Sequence, residues 1–170
     1  MIAALRRRRW SLAWLASVPL LRGEPDGRIG SRVGEPAPPL ALTDLAGRPW
    51  SIADGEGRLV WVNFWATSCE PCRTEMPAMQ RLAEAYPDEL LILGVDWGEG
   101  RDAVEDFVAR YGIGYPILLD PGLQTYYRWA AADGLPRHYF IGAEGTVLRE
   151  VIGPLEPARM VTILQELLAG

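Results

Sequence analysis

Val62-Asn-Phe-Trp65-Ala-Thr-Ser-Cys69-Glu-Pro-Cys72-Arg-Thr-Glu75-Met-Pro77 is where the chain changes its period. Up to Trp65 it is almost continuously apolar, with residues 59–65 reading Leu-Val-Trp-Val-Asn-Phe-Trp. A run of that kind belongs to a central strand of a sheet covered on both faces. Beyond Cys69, and as far as about Tyr86, Met76, Met79, Leu82, Ala83 and Tyr86 recur every three or four positions. That is the period of a helix with one buried face. Pro71 fits a first helical turn, where its missing N–H breaks no hydrogen bond. Pro77 falls inside the helix and predicts a kink. The stretch is a strand running into a helix, with two cysteines at the junction.

Outward from this junction the pattern alternates. Upstream, 40–43 and 49–52 flank Asp44-Leu-Ala-Gly47 and predict a hairpin. Downstream, 90–96 is a second apolar strand, and 101–111 is an amphipathic helix through Ala103, Val104, Phe107 and Val108 that stops at Gly112. A short strand is expected at 115–119 and a short helix at 121–129. Residues 138–142 and 146–152 form a hairpin across Ala143-Glu-Gly145, and 156–168 a closing helix. Strands separated by helices pair in parallel, and the late hairpin adds an antiparallel edge. The fold class is α/β, a mixed sheet with helices on both faces. The domain is expected over 34–170. Residues 22–39 are rich in Gly, Pro and charge, so 23–33 is expected to be a linker.

Cys69 and Cys72 are the only cysteines. A structural disulfide framework would use more, at wider spacing. A thiol at a helix N-terminus feels the positive end of the helix dipole, which favours the thiolate, the attacking species in disulfide exchange. Two intervening residues let the second sulfur resolve a mixed disulfide. Cys69, at the turn, is expected to be exposed and to attack. Cys72, one turn inward, is expected to be shielded and to resolve. Glu70 places negative charge beside the sulfurs, which opposes the thiolate and leans toward a reductase. Glu75 lies three residues beyond Cys72, so one helix face carries both. It is either a solvated surface carboxylate or a proton relay for Cys72. Leu135-Pro136 precedes the strand at 138–142 and is a candidate cis peptide. His138, the only histidine, is expected to be an edge-strand residue, and Asp96 and Glu99 to solvate a strand end. Trp50, Trp97 and Trp129 pack in the core or at its rim.

Two rivals use the same residues. Cys-x-x-Cys is half of a zinc site, but no further cysteine and one histidine are present to complete it. Copper(I) is satisfied by two soft ligands, so a copper-binding or metallochaperone role remains the alternative. A peroxidase would need Pro and Thr upstream of the attacking cysteine, where Val62 and Ala66 stand.

Charge is unevenly spread. Residues 1–32 hold seven arginines against two acids, and 33–170 hold ten arginines against twenty acids. The acidic body excludes nucleic acid as a partner, because phosphate binding needs clustered positive charge. Arg6-Arg7-Arg8-Arg9 leads into twelve mostly apolar residues, 10–21. That is the layout of a secretory signal, and it is short of the roughly 20 residues a spanning helix needs. A cleaved signal peptide or membrane anchor over 1–22 is expected, with a basic arm as the plain alternative. The arginines should stay on the cytoplasmic side and send the rest out.

Together these motifs resemble the thioredoxin superfamily, and within it the TlpA/ResA-like extracytoplasmic thiol–disulfide oxidoreductases. The resemblance spans about 34–168. It rests on the Val62–Pro77 stretch, on Leu42-Thr-Asp-Leu-Ala-Gly-Arg48 as an opening hairpin, and on Gly134-Leu-Pro-Arg-His-Tyr-Phe-Ile-Gly-Ala-Glu-Gly145 as a cis-proline loop and strand. It implies a thioredoxin-like three-layer α/β/α sandwich with an added N-terminal β-hairpin. It implies Pro136 as the cis-proline beside the cysteines, with Leu135, Glu70, Pro71 and Trp65 lining a substrate groove, and Glu75 as a functional carboxylate. No cofactor beyond the Cys69–Cys72 disulfide is implied. The implied partners are a protein disulfide substrate, such as apocytochrome c or a copper-site protein, and a membrane thiol electron donor. The implied location is periplasmic or otherwise extracytoplasmic. Three positions depart from thioredoxin. Asn63 replaces a buried Asp, Ser68 replaces the usual Trp, and Arg137-His138 replaces small hydroxyl residues on what is expected to be the substrate surface.

Overall fold

A computed structural model describes residues 30–130 and 132–169. The order is β1 (Ala41–Asp44), β2 (Pro49–Ser51), β3 (Leu59–Trp65), α1 (Glu70–Ala85), β4 (Leu90–Asp96), α2 (Arg101–Tyr111), β5 (Ile117–Leu119), α3 (Gln124–Trp129), β6 (Arg137–Ile141), β7 (Val147–Ile152) and α4 (Pro157–Leu168). They form one seven-stranded sheet in the order β2-β1-β5-β4-β3-β6-β7. β3 pairs in parallel with β4, and β4 with β5, while β6 runs antiparallel to β3 and β7 to β6. β3 and β4 are buried along their whole length, as continuous apolar runs require.

The alternation of side chains divides β3 between two cores. Trp61 and Trp65 face a cluster with Met76 and Met79 of α1, Phe107 of α2 and Met160 and Ile163 of α4. Val60, Val62 and Phe64 face a second cluster with Tyr126 and Trp129 of α3 and with Leu40. Each such fully buried side chain contributes about 1.5–3 kcal/mol. The result is the thioredoxin-like three-layer α/β/α sandwich, with the β1–β2 hairpin attached antiparallel to β5.

Several expectations need correction. β5 begins at Ile117 rather than 115, after Pro116, and α3 begins at Gln124 rather than 121. The turn Pro121-Gly122 and the left-handed Leu123 occupy the interval, and the Asp120 carboxylate accepts the N–H groups of Thr125 and Tyr126. A 3-10 turn at Ile52–Gly55 ends the hairpin early. His138 is not on an edge: β6 lies between β3 and β7. The described end of the expected linker is docked, since Gly30 and Ser31 donate to the Arg128 and Trp129 carbonyls, and Pro36 bridges to Thr146. The expected signal or anchor at 1–22 lies outside the described residues. No helix among the described residues is long and apolar enough to cross a membrane.

Candidate active site

β3 ends at Trp65, level with Asp96 at the end of β4. The short turn 66–68 delivers Cys69 as the N-cap of α1, with extended φ −82° and ψ 102°. Its Sγ accepts the Cys72 backbone N–H at 3.3 Å. The two sulfurs are joined in a disulfide. Cys69 is half-buried and Cys72 has no exposure, the asymmetry expected of an attacking and a resolving thiol. Pro71 sits in the first turn and Pro77 lies inside the helix.

Glu70 is exposed and paired with Arg73 one turn on. That pairing offsets the negative charge which, from sequence, leans the pair toward reduction. Glu75 is not a solvated carboxylate: it is 3% exposed. Its Oε2 accepts the Leu155 N–H at 3.0 Å. Its Oε1 faces His138 Nε2 at 3.4 Å. Burial pushes the Glu75 carboxyl up to about 8, against the opposing pull of the Leu155 N–H and the Asn63 amide. That value lies beside the roughly 8.5 of an ordinary thiol.

The opposite wall comes from the start of β6. The Leu135–Pro136 peptide is cis, and the Pro136 carbonyl accepts the Gly153 N–H. The loop before it is clamped from beneath. Arg137 donates to the Ala132 and Gly134 carbonyls and pairs with Glu150, while the Tyr126 hydroxyl bonds Gly134. Arg137 and His138, expected on the substrate surface, are 4% and 0% exposed. Alternation explains this: in a β-strand one side chain points to each face, and both faces of β6 are covered. Trp65, expected to line the groove, is also fully buried, its ring tilted against Phe107 with centroids 4.8 Å apart. It supports the turn from below and has no surface to offer a substrate. Of the other residues expected to line the groove, Leu135 is half-buried, Pro71 and Glu70 are exposed, and Pro136 is buried.

Asp96 and Glu99, expected to solvate a strand end, have a different role. Both the N–H and the hydroxyl of Thr67 donate to Glu99, and the Glu99 N–H donates to Asp96 Oδ2 at 2.8 Å. Asp96 is buried and, chiefly for that reason, pushed up to about 7. These acids hold the turn that carries Cys69; they do not merely solvate it. The parallel register of β3 and β4 is the signal for that role, because it sets residues 65 and 96 side by side. Among the described residues no group of three or more His, Cys, Asp or Glu gathers to hold a metal.

A Cys-x-x-Cys disulfide at a helix N-terminus, opposite a cis-proline on a thioredoxin-like sheet, defines a thiol–disulfide oxidoreductase. The chain belongs to the AhpC/TSA family, whose model matches residues 33–149. It is 34% identical over 123 residues to the thiol-disulfide oxidoreductase ResA of Bacillus thuringiensis (strain Al Hakam), covering 72% of this chain and 70% of that one. With ResA of Geobacillus kaustophilus it shares 36% over 124 residues, covering 72% and 71%. Among solved structures, a thiol:disulfide interchange protein of the thioredoxin family from Chlorobium tepidum TLS superposes with a TM-score of 0.71 at 29% identity, covering 81% of this chain and 98% of that one.

Proposed function

We propose that the protein reduces disulfides of other proteins outside the cytoplasm, with Cys69 attacking and Cys72 resolving. The observation that carries this reading is the buried Glu75 on the same helix face as the buried Cys72, beneath a half-exposed Cys69. Cys69 thiolate attacks a substrate disulfide, forming a mixed disulfide and releasing one substrate thiolate. Glu75 carboxylate takes the Cys72 proton; the S–H bond breaks and an O–H bond forms. Cys72 thiolate then attacks Cys69 Sγ. The Cys69–Cys72 bond forms, the second substrate thiolate leaves, and two electrons have passed to the substrate. A membrane thiol donor returns them. Pro136, Leu135, Glu70 and Pro71 shape the rim on which the substrate lies.

The substrate class is a protein cysteine pair of the apocytochrome c haem-site or copper-site kind. The resemblance to ResA-like proteins supports this assignment, and the basic-then-apolar stretch at 6–21 supports the location. Cys72→Ser tests it by leaving Cys69 unable to be resolved. Expressed in its own host, the full chain should accumulate a mixed disulfide with an exported cysteine-pair protein. Recovery of cytosolic partners alone would overturn the location, and a Cys69→Ser protein that still exchanges disulfides would overturn the mechanism.

A further inference from the structure

His138 is the one histidine of the chain and it has no exposure, yet the reaction above gives it no part. Its surroundings fix its chemistry. Trp61 Nε1 donates to His138 Nδ1 at 3.3 Å, and the Asn63 amide nitrogen approaches the same atom at 3.2 Å. An indole N–H can only donate. Nδ1 must therefore be the acceptor and carry no proton, so in the neutral ring the hydrogen is on Nε2. Nε2 is the atom that faces Glu75 Oε1 at 3.4 Å.

Neither His138 Nε2 nor Glu75 Oε1 completes a hydrogen bond among the described residues, and both are buried; the Gly153 carbonyl lies near the imidazole and the Asn63 amide near the carboxyl. Two buried polar atoms without partners, face to face, are each costly unless they serve one another. The register explains how they meet. His138 pairs directly with Asn63 across β3 and β6, so both side chains project to the face that α1 covers, and α1 brings Glu75 down onto them. The groups around the pair come from every element packed there. They are Cys72 on α1, Trp61 and Asn63 on β3, the Gly153 carbonyl after β7, the Leu155 N–H before α4, and the buried Tyr115 hydroxyl ahead of β5. No cation is among them, because the Arg137 guanidinium turns to Ala132, Gly134 and Glu150.

We infer that His138 is a positioning residue for the resolving step: locked by Trp61 and Asn63 as the Nε2–H tautomer, it donates to Glu75, favours its carboxylate form over what burial alone would allow, and orients it to take the Cys72 proton. The ring stays neutral and gains no proton, since Nδ1 is already occupied by two donors and burial disfavours the imidazolium. An N–H aimed at a carboxylate stabilises its charged form, so removing the donor moves Glu75 toward its protonated form. This inference rests on the relay role given to Glu75.

The test is rapid mixing of the reduced full-length protein with 5,5′-dithiobis(2-nitrobenzoate) from pH 5 to 10. The first burst of thiolate reports Cys69 attack, and the second reports Cys72 resolving the mixed disulfide. His138→Leu should leave the first phase in place and move the midpoint of the second to higher pH by about one unit, roughly a tenfold loss at pH 7. His138→Gln, whose amide can still donate, should restore most of it. In a Glu75→Gln background, His138→Leu should add nothing. If Glu75→Gln abolishes the titration but His138→Leu leaves the midpoint unmoved, His138 has no such role and the relay stands. If Glu75→Gln itself leaves the second phase unchanged, the relay falls and the inference with it. Nitrogen NMR of the unmodified imidazole supplies a readout that needs no variant. A proton on Nδ1, or on both nitrogens near neutral pH, overturns the inference.

Discussion

Cys69 and Cys72 are chemically alike and differ only in where one turn of helix places them. Cys69 caps the helix and meets solvent; Cys72 faces the core beside Trp61 and Met76. The same turn carries Glu75 inward while leaving Glu70 outside on Arg73. The two glutamates therefore have separable effects. Glu75→Gln should slow the Cys72 step by roughly 100-fold, the lower range for loss of a positioned acid–base group. Glu70→Gln should change it by no more than about threefold, as fits an exposed pair. The comparison is read from the second burst phase at neutral pH; equal effects from both variants would deny Glu75 a relay role. Spacing alone placed Glu75 near Cys72, but its burial depends on Leu155, eighty positions away, donating to it across the fold. No local pattern carries that contact, and the same is true of His138.

At the scale of elements, the wall opposite the cysteines is a loop held by side chains beneath it. Arg137, at the first position of β6, bonds the Ala132 and Gly134 carbonyls and pairs with Glu150 of β7. Arg137→Ala removes a buried guanidinium and its charge-assisted hydrogen bonds to part-buried acceptors, and should cost about 1.5–3 kcal/mol in denaturant unfolding. It should also slow reduction of a protein substrate more than reduction of a small disulfide, because only the former needs the groove. An equal loss on both would show that the loop does not shape the groove. The elements themselves were legible in the sequence. The apolar runs of β3 and β4, the periodicity of α1, α2 and α4 and the Gly-bearing hairpin turns all lie where their patterns put them, to within a few residues. The 3-10 turn after β2 and the late start of α3 were not, because each depends on a capping carboxylate, Asp54 or Asp120, whose target is set by the final backbone path.

For the whole molecule, two buried carboxyls govern how stability follows pH. Glu75 is pushed up to about 8 from a usual 4.5, and Asp96 to about 7 from a usual 3.8, in each case chiefly by burial. Between those limits the folded chain binds more protons than the unfolded one. The stability these two groups contribute is therefore fully present below about pH 4 and is lost as pH rises through 7 to 8. The fall should amount to a few kcal/mol, and the doubly substituted Glu75→Gln, Asp96→Asn protein should show a flatter profile. Asp54, held below the usual range by Ser51, acts in the opposite sense only at the acid edge, whereas His138, which burial holds down to about 3 from a usual 6.5, offsets one of the two carboxyls between those values, so the fall is steepest above about pH 6.5. Thermal unfolding from pH 4 to 9 measures the slope, and a rise in stability across that range would contradict it. The layered architecture was readable from the alternation of strands and helices. The buried acids were not, since an Asp at a strand's end looks the same in sequence whether solvent or protein covers it.

The cap of α1 is also the reacting atom. The Cys72 N–H ends on Cys69 Sγ, so any change in what that sulfur is bonded to changes the acceptor of one amide proton. Disulfide, thiol, thiolate and mixed disulfide differ in how much charge the sulfur presents. The helix thus carries a built-in gauge of its own oxidation state. The Cys72 amide resonance and its exchange with solvent should step through distinct values as the catalyst turns over, with the slowest exchange where the sulfur is most negative.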